Sequence, residues 1–424
     1  MKDILLKILK WKVKKLAELT LWRYEPAIIG VTGSVGKTST KRAIAAVVAH
    51  ERTVRVSHGN FNNELGLPLT ILGDWEKIEG IFFWPEVILG AILRLIIKSE
   101  YPEVLVLEYG VDHPGDMRYL LEIARPNISV ITAVGDIPVH VEFFNGPEDV
   151  AREKGKIIES LPVAGYAILN FDDETVMSLK EKTRGRVLTY GFQKGAMVHI
   201  ASFENRVESD LASQPGSSRG ERLSRPVGVS FKLEYGHSFV PVRLDGVFGK
   251  VHAYAAAAAA NVGLILGMNL VTISDALRHY EPAPHRMNLV PGVKYTYIID
   301  DAYNASPLAM HAALDTLKDL PGKRKVAVLG DMLEIGKYTL EAHEHVGRLA
   351  GKFVDLLVTV GPRAKFIGEA AIEAGLSKKK IMSFENSEDA AHAAKDLIKR
   401  GDLILVKGSH SIQLEKVVNE LKAI

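Results

Sequence analysis

The stretch Gly30-Val-Thr-Gly-Ser-Val-Gly-Lys-Thr38 constrains the fold of this chain more than any other part of the sequence. It follows an apolar run at 27–29, which is typical of a buried strand, and it precedes an alanine-rich helix predicted over 39–48. Strand, glycine loop and helix in this order are the setting of a phosphate-binding loop, because glycines let the backbone turn tightly and expose its N–H groups. The N-terminus of the following helix favours an anion. The sequence therefore predicts a nucleotide-binding α/β domain around this loop.

Two residues of the loop have expected roles in holding a nucleoside triphosphate. Lys37 is expected to reach the outer phosphates, and the Thr38 hydroxyl is expected to hold a magnesium ion. The general pattern has a further glycine five residues before Gly36, where this chain has Val31. The residues that we predict to contact the nucleotide are Thr32, Gly33, Ser34, Val35, Gly36, Lys37, Thr38 and Ser39.

The overall composition excludes several classes of function. The 424 residues are enough for two or three domains with their own cores. A net charge of +2 is close to neutral and argues against a protein dedicated to nucleic-acid binding. The absence of cysteine excludes disulfides, thiolate catalysis and cysteine-bound zinc. It fits a reducing compartment, and we see no secretory signal with a small-residue cleavage site, so we predict a cytoplasmic protein.

Residues 1–26 predict an amphipathic helical segment with a basic side. The apolar residues on one helical arc, which Lys12 and Lys15 interrupt, are Ile4, Leu5, Ile8, Trp11, Leu16 and Leu19. The lysines on the opposite side are Lys7, Lys10 and Lys14. Such a helix can lie on an anionic membrane surface, or it can dock on the core of the protein itself, and we favour the second alternative.

The stretch 81–97 is the most apolar part of the chain and is nearly long enough to span a bilayer. Glu86 and Arg94 interrupt it, so we predict a buried or interfacial helix rather than a membrane span. A peripheral membrane contact through residues 1–20 and 81–97 stays open at this point.

Polar side chains stand at the ends of two predicted strands of the loop domain. Val104 to Leu107 predicts a buried strand that ends at Glu108, and the strand at 128–132 leads to His140. Ligands and catalytic groups gather at the carboxyl ends of strands in open α/β sheets. A carboxylate and an imidazole at such positions, in the same fold as a phosphate loop, suggest metal ligands, although a single glutamate there is often structural.

The segment Glu281-Pro-Ala-Pro-His285 is stiff and predicts a linker, while the polar residues 203–228 predict a loop. Beyond the linker, predicted strands and helices alternate, which implies a mostly parallel, doubly wound sheet. These strands are predicted at 296–300, 325–329, 355–360 and 403–406, and the helices at 307–318, 340–350, 363–374 and 387–399. We therefore predict an α/β protein with an N-terminal helical segment (1–26), a P-loop central ATPase domain with a parallel sheet (27–282) and a C-terminal Rossmann-like domain (283–424).

Taken together, the motifs resemble the Mur ligase family, and most closely its subgroup that adds D-alanyl-D-alanine to UDP-N-acetylmuramoyl-tripeptide. The resemblance covers residues 27–424, and the motifs follow the order and spacing of the family. They are the loop Thr32–Thr38, Asn60–Pro68, Glu108-Tyr-Gly110, His140 with the helical Lys154, Asp300–Pro307, Leu329–Gly336 followed by His343, and Val406–Ser409.

The chain departs from the family pattern at three places. Only 26 residues precede the first strand, so we expect no N-terminal uridine-nucleotide domain. The family has His-Asn and a further Asn before the alanine-rich helix, where this chain has His252-Ala-Tyr-Ala-Ala256, which weakens an adenine contact there. The family motif Lys-Gly-Ser-Arg becomes Lys407-Gly-Ser-His410, and an imidazole lacks the bidentate fork with which arginine holds a carboxylate.

The resemblance implies an ATP-dependent amide-bond ligase. In this reaction an acceptor carboxylate attacks the γ-phosphate of ATP, and an amine then attacks the resulting acyl phosphate. The implied cofactors are ATP and two magnesium ions, the first held by Thr38 and Glu108. The second would be held by His140 and by Lys154, which is carbamylated in the family; without the resemblance, Lys154 would be interpreted as an exposed helical lysine.

The resemblance also implies roles for residues of the second half. Arg286 would contact phosphate and count with Lys37, His140 and Lys154 as catalytic. Asp301 would accept a hydrogen bond from the ATP ribose or hold Arg286, and Asn304 would lie near the ATP. The implied substrate-binding residues are Asn62, Asn63, Asp331, Glu334, His343 and Lys407.

The implied partners are a muropeptide-like carboxylate acceptor and an amino acid or dipeptide such as D-alanyl-D-alanine, with no nucleic acid. Alternatives stay open: a lipid-linked or non-wall acceptor, a folylpolyglutamate-synthase-like ligase, or a non-catalytic nucleotide-binding partner of another chain. The motifs Tyr303-Asn-Ala-Ser-Pro307 and Gly330-Asp-Met-Leu-Glu334 argue against the folate ligase. The intact set Lys37, Glu108, His140 and Lys154 argues against a non-catalytic partner.

Overall fold

A computed structural model describes residues 2–80, 82–210 and 223–423. The chain forms two α/β units, each built around a mostly parallel sheet with helices against it. Their inner strands are continuous apolar runs, as expected for parallel strands that are covered on both faces. The predicted α/β fold with two parallel sheets is confirmed.

The first unit contains the phosphate loop. Its strands are β1 (Ala27–Thr32), β2 (Val54–Val56), β3 (Val104–Glu108), β4 (Ile128–Ile131), β5 (Tyr166–Asn170), β6 (Arg186–Gly191), β7 (Val198–Asp210), β8 (Leu223–Tyr235) and β9 (Ser238–Asp245). Its helices are α1 (Lys2–Tyr24), α2 (Lys37–Val48), α3 (Gly66–Leu72), α4 (Phe83–Ile96), α5 (Asp116–Ile123), α6 (Pro147–Glu159), α7 (Glu174–Met177), α8 (Lys250–Ile265) and α9 (Leu270–Leu277).

The strand order of the first sheet places the phosphate loop at its functional edge. The order is β2-β3-β1-β4-β5-β6-β7-β8-β9, parallel as far as β7 and antiparallel beyond it. Strand β1 therefore lies between β3 and β4, with Val31 opposite Glu108 and Thr32 opposite Ile131. The chain crosses in opposite directions from such a central strand, and the crevice beyond its carboxyl end is the usual ligand site.

The second unit follows the same plan. Its strands are β10 (Asn288–Gly292), β11 (Thr296–Asp301), β12 (Lys325–Gly330), β13 (Leu356–Val360), β14 (Ile381–Phe384) and β15 (Leu403–Lys407). Its helices are α10 (Pro307–Asp319), α11 (Thr339–Gly351), α12 (Lys365–Glu373), α13 (Ser387–Leu397) and α14 (Glu415–Leu421). The sheet order is β10-β11-β15-β12-β13-β14, and β10 alone among these strands runs antiparallel to its neighbour.

The prediction of a loop over 203–228 is wrong for the described residues. Residues 203–210 belong to β7 and residues 223–228 belong to β8. The two strands pair in antiparallel orientation, and 211–222 lie outside the described residues. The polar composition misled the prediction because Glu204, Asn205 and Arg206 are three polar residues in a row, so the usual apolar alternation of a strand is missing there.

Helix α1 docks on the first unit, as the favoured alternative predicted. Val13 and Ala17 are fully buried against the core beneath α3 and α4, and Leu16 packs there too. Leu16 therefore does not share the arc of Ile4 and Trp11, which face outward. Helix α4 buries one face on the same core, and no helix in the described ranges is both long and apolar enough to cross a membrane.

Candidate active site

The loop between β1 and α2 is held by the end of β4. Gly33 has a φ of +142°, and a Cβ atom there would lie 2.0 Å from Thr132 Oγ1. The Ser34 and Val35 N–H groups donate to the Ala133 carbonyl at 2.7 and 3.2 Å. Gly36, at a φ of +88°, then leads into the first turn of α2. Glycine is required at position 33 both for its backbone angles and for the space it leaves free.

Lys37 and Thr38 begin α2 and point in different directions. The Lys37 ammonium is half-buried and donates to the Gly33 carbonyl at 2.8 Å, so it lies over the loop. Burial lowers the pKa of Lys37, and the carboxylate of Glu108 opposes that effect. The Thr38 hydroxyl donates to Glu108 Oε2 at 3.2 Å, which joins the loop to the end of β3.

Glu108 is almost completely buried and is held from three sides. Besides Thr38, Lys41 Nζ lies 3.0 Å from its Oε2 atom, and the Asn62 amide donates to its Oε1 atom at 3.0 Å. Burial alone would raise the pKa of Glu108, but the charges of Lys41 and Lys37 and these hydrogen bonds lower it overall. The carboxylate is therefore ionised at neutral pH.

This arrangement fits a magnesium ion that is bound together with phosphates. Within the described ranges there is no group of three or more histidine, aspartate or glutamate side chains that could hold a metal by themselves. Magnesium, however, commonly takes one or two carboxylates and completes its shell with phosphate oxygens and water. The ionised Glu108 carboxylate beside the Thr38 hydroxyl offers two oxygen ligands of the right kind.

His140 lies between carboxylates of both units. Its Nε2 atom is 3.2 Å from Asp112 Oδ1, and its Nδ1 atom is 2.9 Å from Oε2 of Glu334 in the second unit. The contact with His140 lowers the pKa of Glu334. Both His140 and Glu334 have positive φ angles, 70° and 63°, which non-glycine residues rarely adopt.

Lys154 is buried in α6, with 1% of its surface exposed. Its ammonium forms no hydrogen bond or ion pair with any residue that the structure describes. Burial, helped by the charge of Lys37, lowers the pKa of Lys154 to about 7, although Asp112 and Asp116 act in the opposite direction. A buried lysine without a partner is costly, which makes a purely structural role difficult to explain.

The second unit contributes the other wall of a cleft in front of the loop. Arg286, Asn304 and Lys407 line this cleft together with Gly36 and Thr38. The Arg286 guanidinium lies over the Tyr303 ring, 4.0 Å from its centroid. The cleft therefore places cations of both units around the phosphate loop, as phosphoryl transfer requires.

Asp301 and Lys407 form a buried ion pair at the base of this wall. Lys407 Nζ lies 2.6 Å from Asp301 Oδ2 and also donates to the Asn304 carbonyl at 2.8 Å. Asp301 accepts a further hydrogen bond from the Met287 N–H at 3.2 Å, next to Arg286. Burial raises the pKa of Asp301 and lowers that of Lys407, and their mutual attraction opposes both shifts.

The predicted substrate residues fall into two groups. Asn62 and Glu334 reach the site, through Glu108 and His140 respectively. Lys407 also lines the cleft, where it is paired with Asp301. The other three are occupied elsewhere in the structure. Asn63 accepts from the N–H groups of residues 65 and 66, Asp331 accepts from those of residues 363 and 364, and the buried His343 bonds to the backbone of residues 332 and 339.

The sequence reasoning missed three residues of the site: Lys41, Asp112 and Tyr303. Lys41 lies one helical turn after Lys37, a spacing that places both on one side of α2. Asp112 follows the Glu108-Tyr-Gly motif closely, and a carboxylate there was a usable signal. Tyr303 stacks on Arg286 and contacts Asn60 of the first unit, and no sequence spacing reports such a contact between units.

Comparisons with known proteins identify the family of the chain. The Mur ligase middle domain matches residues 31–83 and 90–260, and the Mur ligase glutamate ligase domain matches residues 285–410. The UDP-N-acetylmuramoyl-tripeptide--D-alanyl-D-alanine ligase of Bacillus subtilis is 30% identical over 96% of this chain and 79% of its own length. The ligase of the same name from Mycobacterium tuberculosis is 32% identical over 93% of this chain and 73% of its own length.

A solved structure leads to the same family. The MurF ligase of Thermotoga maritima in complex with ADP superposes with a TM-score of 0.75 at 26% identity, covering 97% of this chain and 83% of the other. The middle-domain model alone spans more than half of the chain, and relatives at 30% identity or more cover nearly all of it. This chain therefore belongs to the Mur ligase family.

Proposed function

We propose that this Mur ligase adds D-alanyl-D-alanine to the carboxylate of a muramoyl tripeptide in cell-wall precursor synthesis. The observation that carries the proposal is the cleft in which the phosphate loop of the first unit faces Arg286 and Asn304 of the second. Relatives that span nearly all of this chain have this activity in their names. Mur ligases are ATP-dependent, and the chain keeps the loop and the cations that such chemistry needs.

The reaction has two displacement steps. An oxygen of the acceptor carboxylate attacks the γ-phosphorus of ATP, the bond to the β–γ bridging oxygen breaks, and ADP leaves. The amine nitrogen then attacks the carbonyl carbon of the acyl phosphate and loses a proton to solvent, and inorganic phosphate leaves as the amide forms. Lys37 from the loop and Arg286 from the second unit stabilise the negative charge on the transferring phosphoryl group.

Glu108 and Thr38 would hold the magnesium ion that accompanies ATP. When bound, the ion neutralises charge on the phosphate oxygens. The structural support is the buried carboxylate, whose pKa is already lowered, next to a hydroxyl at 3.2 Å. Lys41 and Asn62 keep this carboxylate in place and ionised.

A second magnesium ion would be held by His140 and a carbamylated Lys154. The neutral amine of Lys154 attacks the carbon of CO2, a nitrogen–carbon bond forms and a proton goes to solvent, so that a cation becomes an oxygen ligand. The pKa of about 7 supports this step, because a much larger share of the amine is then neutral at pH 7 than in an ordinary lysine. An ordinary lysine, with a pKa near 10.4, has only about one neutral amine in 2,500 at that pH.

The remaining predicted residues divide into contacts and supports. We propose that Asn304 and Arg286 contact the nucleotide, and that Asn62 and Glu334 face the acceptor or the amine. The ion pair of Asp301 and Lys407 holds the backbone next to Arg286, because Asp301 accepts a hydrogen bond from the Met287 N–H. Three other side chains accept hydrogen bonds from backbone N–H groups, and we propose that they stabilise the loops around the site. They are Asn63, Asp331 and His343.

The test is ADP release by the purified chain with magnesium and bicarbonate. The acceptors are UDP-muramoyl-tripeptide, a lipid-linked muropeptide and a folate, each with D-alanyl-D-alanine or glutamate. We expect turnover only when a muropeptide and D-alanyl-D-alanine are both present, with a product heavier than the acceptor by the dipeptide less one water. The Lys37→Met variant is the matched negative control. We expect it to fold, and it lacks the positive charge that is proposed to contact the phosphates.

Two results would overturn the proposal. Turnover with folate and glutamate alone would assign the chain to a different ligase reaction. Binding of ATP without turnover for any acceptor and amine pair would show that the cleft serves no ligation of these substrates.

A further inference from the structure

Helix α1 carries a second apolar stripe on the side that faces away from the protein. Its inward side packs through Val13 and Ala17, which are fully buried. The residues of the outward stripe are spaced by three, four or eight positions, which places them on one side of the helix. Their side chains are between 45% and 76% exposed. They are Ile4, Ile8, Trp11, Leu19 and Trp22. An ordinary docked helix has a polar outward side, so this stripe needs an explanation.

Helix α4 has the same property. Its inward side packs on the core through Phe83, Val87 and Ala91. Its outward side presents large apolar side chains that are between 40% and 71% exposed, namely Leu89, Ile92, Leu93 and Ile96. Large exposed apolar surfaces are rare on monomeric proteins and mark interaction sites.

The helices that carry the two outward stripes are neighbours in the structure. Both helices pack on the same core cluster, and they touch each other near their C-terminal ends, where the Tyr24 hydroxyl donates to the Arg94 carbonyl at 2.9 Å. We call the surface formed by the two stripes the α1–α4 face.

The charge around the α1–α4 face is strongly positive. Residues 2–24 contain seven basic and two acidic residues, whereas the whole chain has a net charge of only +2. Lys10, Lys14 and Lys15 are paired with glutamates. Lys7 and Lys12 form no ion pair with any described residue, so their charge is available to an anionic partner.

We propose that the α1–α4 face binds the surface of an anionic lipid bilayer. Apolar stripes with tryptophan and flanking lysines are the composition of helices that lie in the membrane interface, where the apolar side chains enter the acyl boundary and the lysines meet acidic headgroups. Helix α4 is about 21 Å long at 1.5 Å per residue, shorter than a hydrocarbon core of about 30 Å. It therefore lies along the surface.

A second copy of this chain is the less favourable occupant. Pairing two α1–α4 faces would bring two strongly basic helices together, and like charges across an interface are destabilising. An anionic bilayer satisfies both the apolar stripe and the unpaired lysines, whereas a second copy satisfies only the stripe.

The α1–α4 face is connected to the active site by one ion pair. Lys10 Nζ on α1 lies 2.6 Å from Glu64 Oε1, two residues after Asn62, whose amide holds Glu108. Membrane binding would thus place the loop 60–64 near the bilayer. That this loop belongs to an active site rests on the proposed function. The binding itself does not depend on ligase activity.

The experiment is sedimentation of the full chain with vesicles, without nucleotide or acceptor. Vesicles of phosphatidylcholine alone are compared with vesicles that contain phosphatidylglycerol, at low and high salt. The face variant is Trp11→Ser/Trp22→Ser/Ile96→Ser. The control variant is Phe239→Ser/Val271→Ser/Ile372→Ser, which removes exposed apolar side chains from β9, α9 and α12. All six side chains are exposed, so both variants are expected to fold.

We expect the wild type and the control variant to bind the anionic vesicles and to be released by salt. The face variant should bind at least about tenfold more weakly, because each lost side chain removes apolar contact with lipid. Tryptophan emission should shift to the blue on binding in the wild type and in the control variant but not in the face variant, which lacks Trp11 and Trp22, two of the four tryptophans.

Three results would overturn the proposal: no vesicle binding by the wild type, equal binding by the face variant, or a dimer in solution that the face variant converts to a monomer. ADP release with a soluble acceptor separates this proposal from the proposed function. The face variant should retain full turnover, and an inactive wild type that still binds vesicles would refute only the ligase reaction.

Discussion

Replacement of Lys41 by methionine tests whether a buried ion pair holds the Glu108 carboxylate. The lysine is 1% exposed and the glutamate 2%, and the closest approach of the two charged groups is 3.0 Å. Lys41 Nζ also donates to the Ser57 hydroxyl at 3.0 Å and to the Gly59 carbonyl at 2.9 Å. Methionine preserves most of the volume and removes the charge and these hydrogen bonds together.

The magnitude follows from what remains after the substitution. Removing one partner of a buried pair leaves an uncompensated charge, which typically costs about 3–5 kcal/mol. The exposed pair Lys182–Glu159, at 3.4 Å in the same unit, provides the matched control, because a surface pair contributes about 0–1 kcal/mol. We therefore expect Lys41→Met to lower the free energy of unfolding at least three times as much as Lys182→Met.

The assay is urea unfolding followed by tryptophan fluorescence. The tryptophans stand at positions 11, 22, 75 and 84, so their emission reports the unit that contains the pair. The double variant Lys41→Met/Glu108→Gln should recover much of the loss, because neither position then carries a buried charge without its partner. Equal losses for Lys41→Met and Lys182→Met, or no recovery in the double variant, would refute the reasoning.

The remaining predictions concern the loop, the buried lysine and the second unit. Gly33→Ala should weaken ATP binding more than tenfold by calorimetry, because its Cβ would meet Thr132 at 2.0 Å; Gly267→Ala, with a φ of +89° and open space, should leave it unchanged, and equal effects would contradict this account. Lys154→Met should stabilise the chain in CO2-free buffer. The wild-type pKa is lowered from its unfolded value to about 7, so the folded state binds fewer protons between about pH 7 and the unfolded pKa, and the full cost of burying the charge is present below about pH 7. The difference in urea midpoint should thus be largest below about pH 7 and shrink towards pH 10; a difference independent of pH would contradict the burial argument. Arg286→Lys should lower kcat/KM for ATP about tenfold, because lysine keeps the charge but not the planar stacking on Tyr303, and unchanged initial rates would remove Arg286 from the site.

Local signals explain why much of the fold was predictable. The helix predicted over 307–318 is observed as Pro307–Asp319, since Ser306 caps its first turn and proline occupies the first helical position. The hairpin of β7 and β8 was not predictable in this way. Residues 203–210 and 223–228 form strands because they pair with each other. Their sequence lacks the apolar alternation from which such strands are usually predicted.

The site was predictable only where it follows from one sheet. Thr38 and Glu108 meet because β1 and β3 are neighbours, and strand ends in an α/β sheet converge. Lys41 was missed because a lysine in a helix is usually exposed, and its burial depends on how α2 packs against β3. Tyr303 was missed because it contacts Asn60 of the other unit. Residues so far apart in the chain show no periodic pattern that would predict their contact.

The site is therefore a property of both units together. The first unit supplies the phosphate loop, Glu108 and Lys154, and the second supplies Arg286 on its base of Asp301 and Lys407. The contact between His140 and Glu334 links the imidazole proposed as a metal ligand to the position of the second unit. Neither unit alone supplies both Lys37 and Arg286, the two cations that we propose stabilise the transferring phosphoryl group. We therefore expect a change in the angle between the units to alter the proposed nucleotide contact and the proposed metal contact together, because the same second unit carries Arg286 and Glu334.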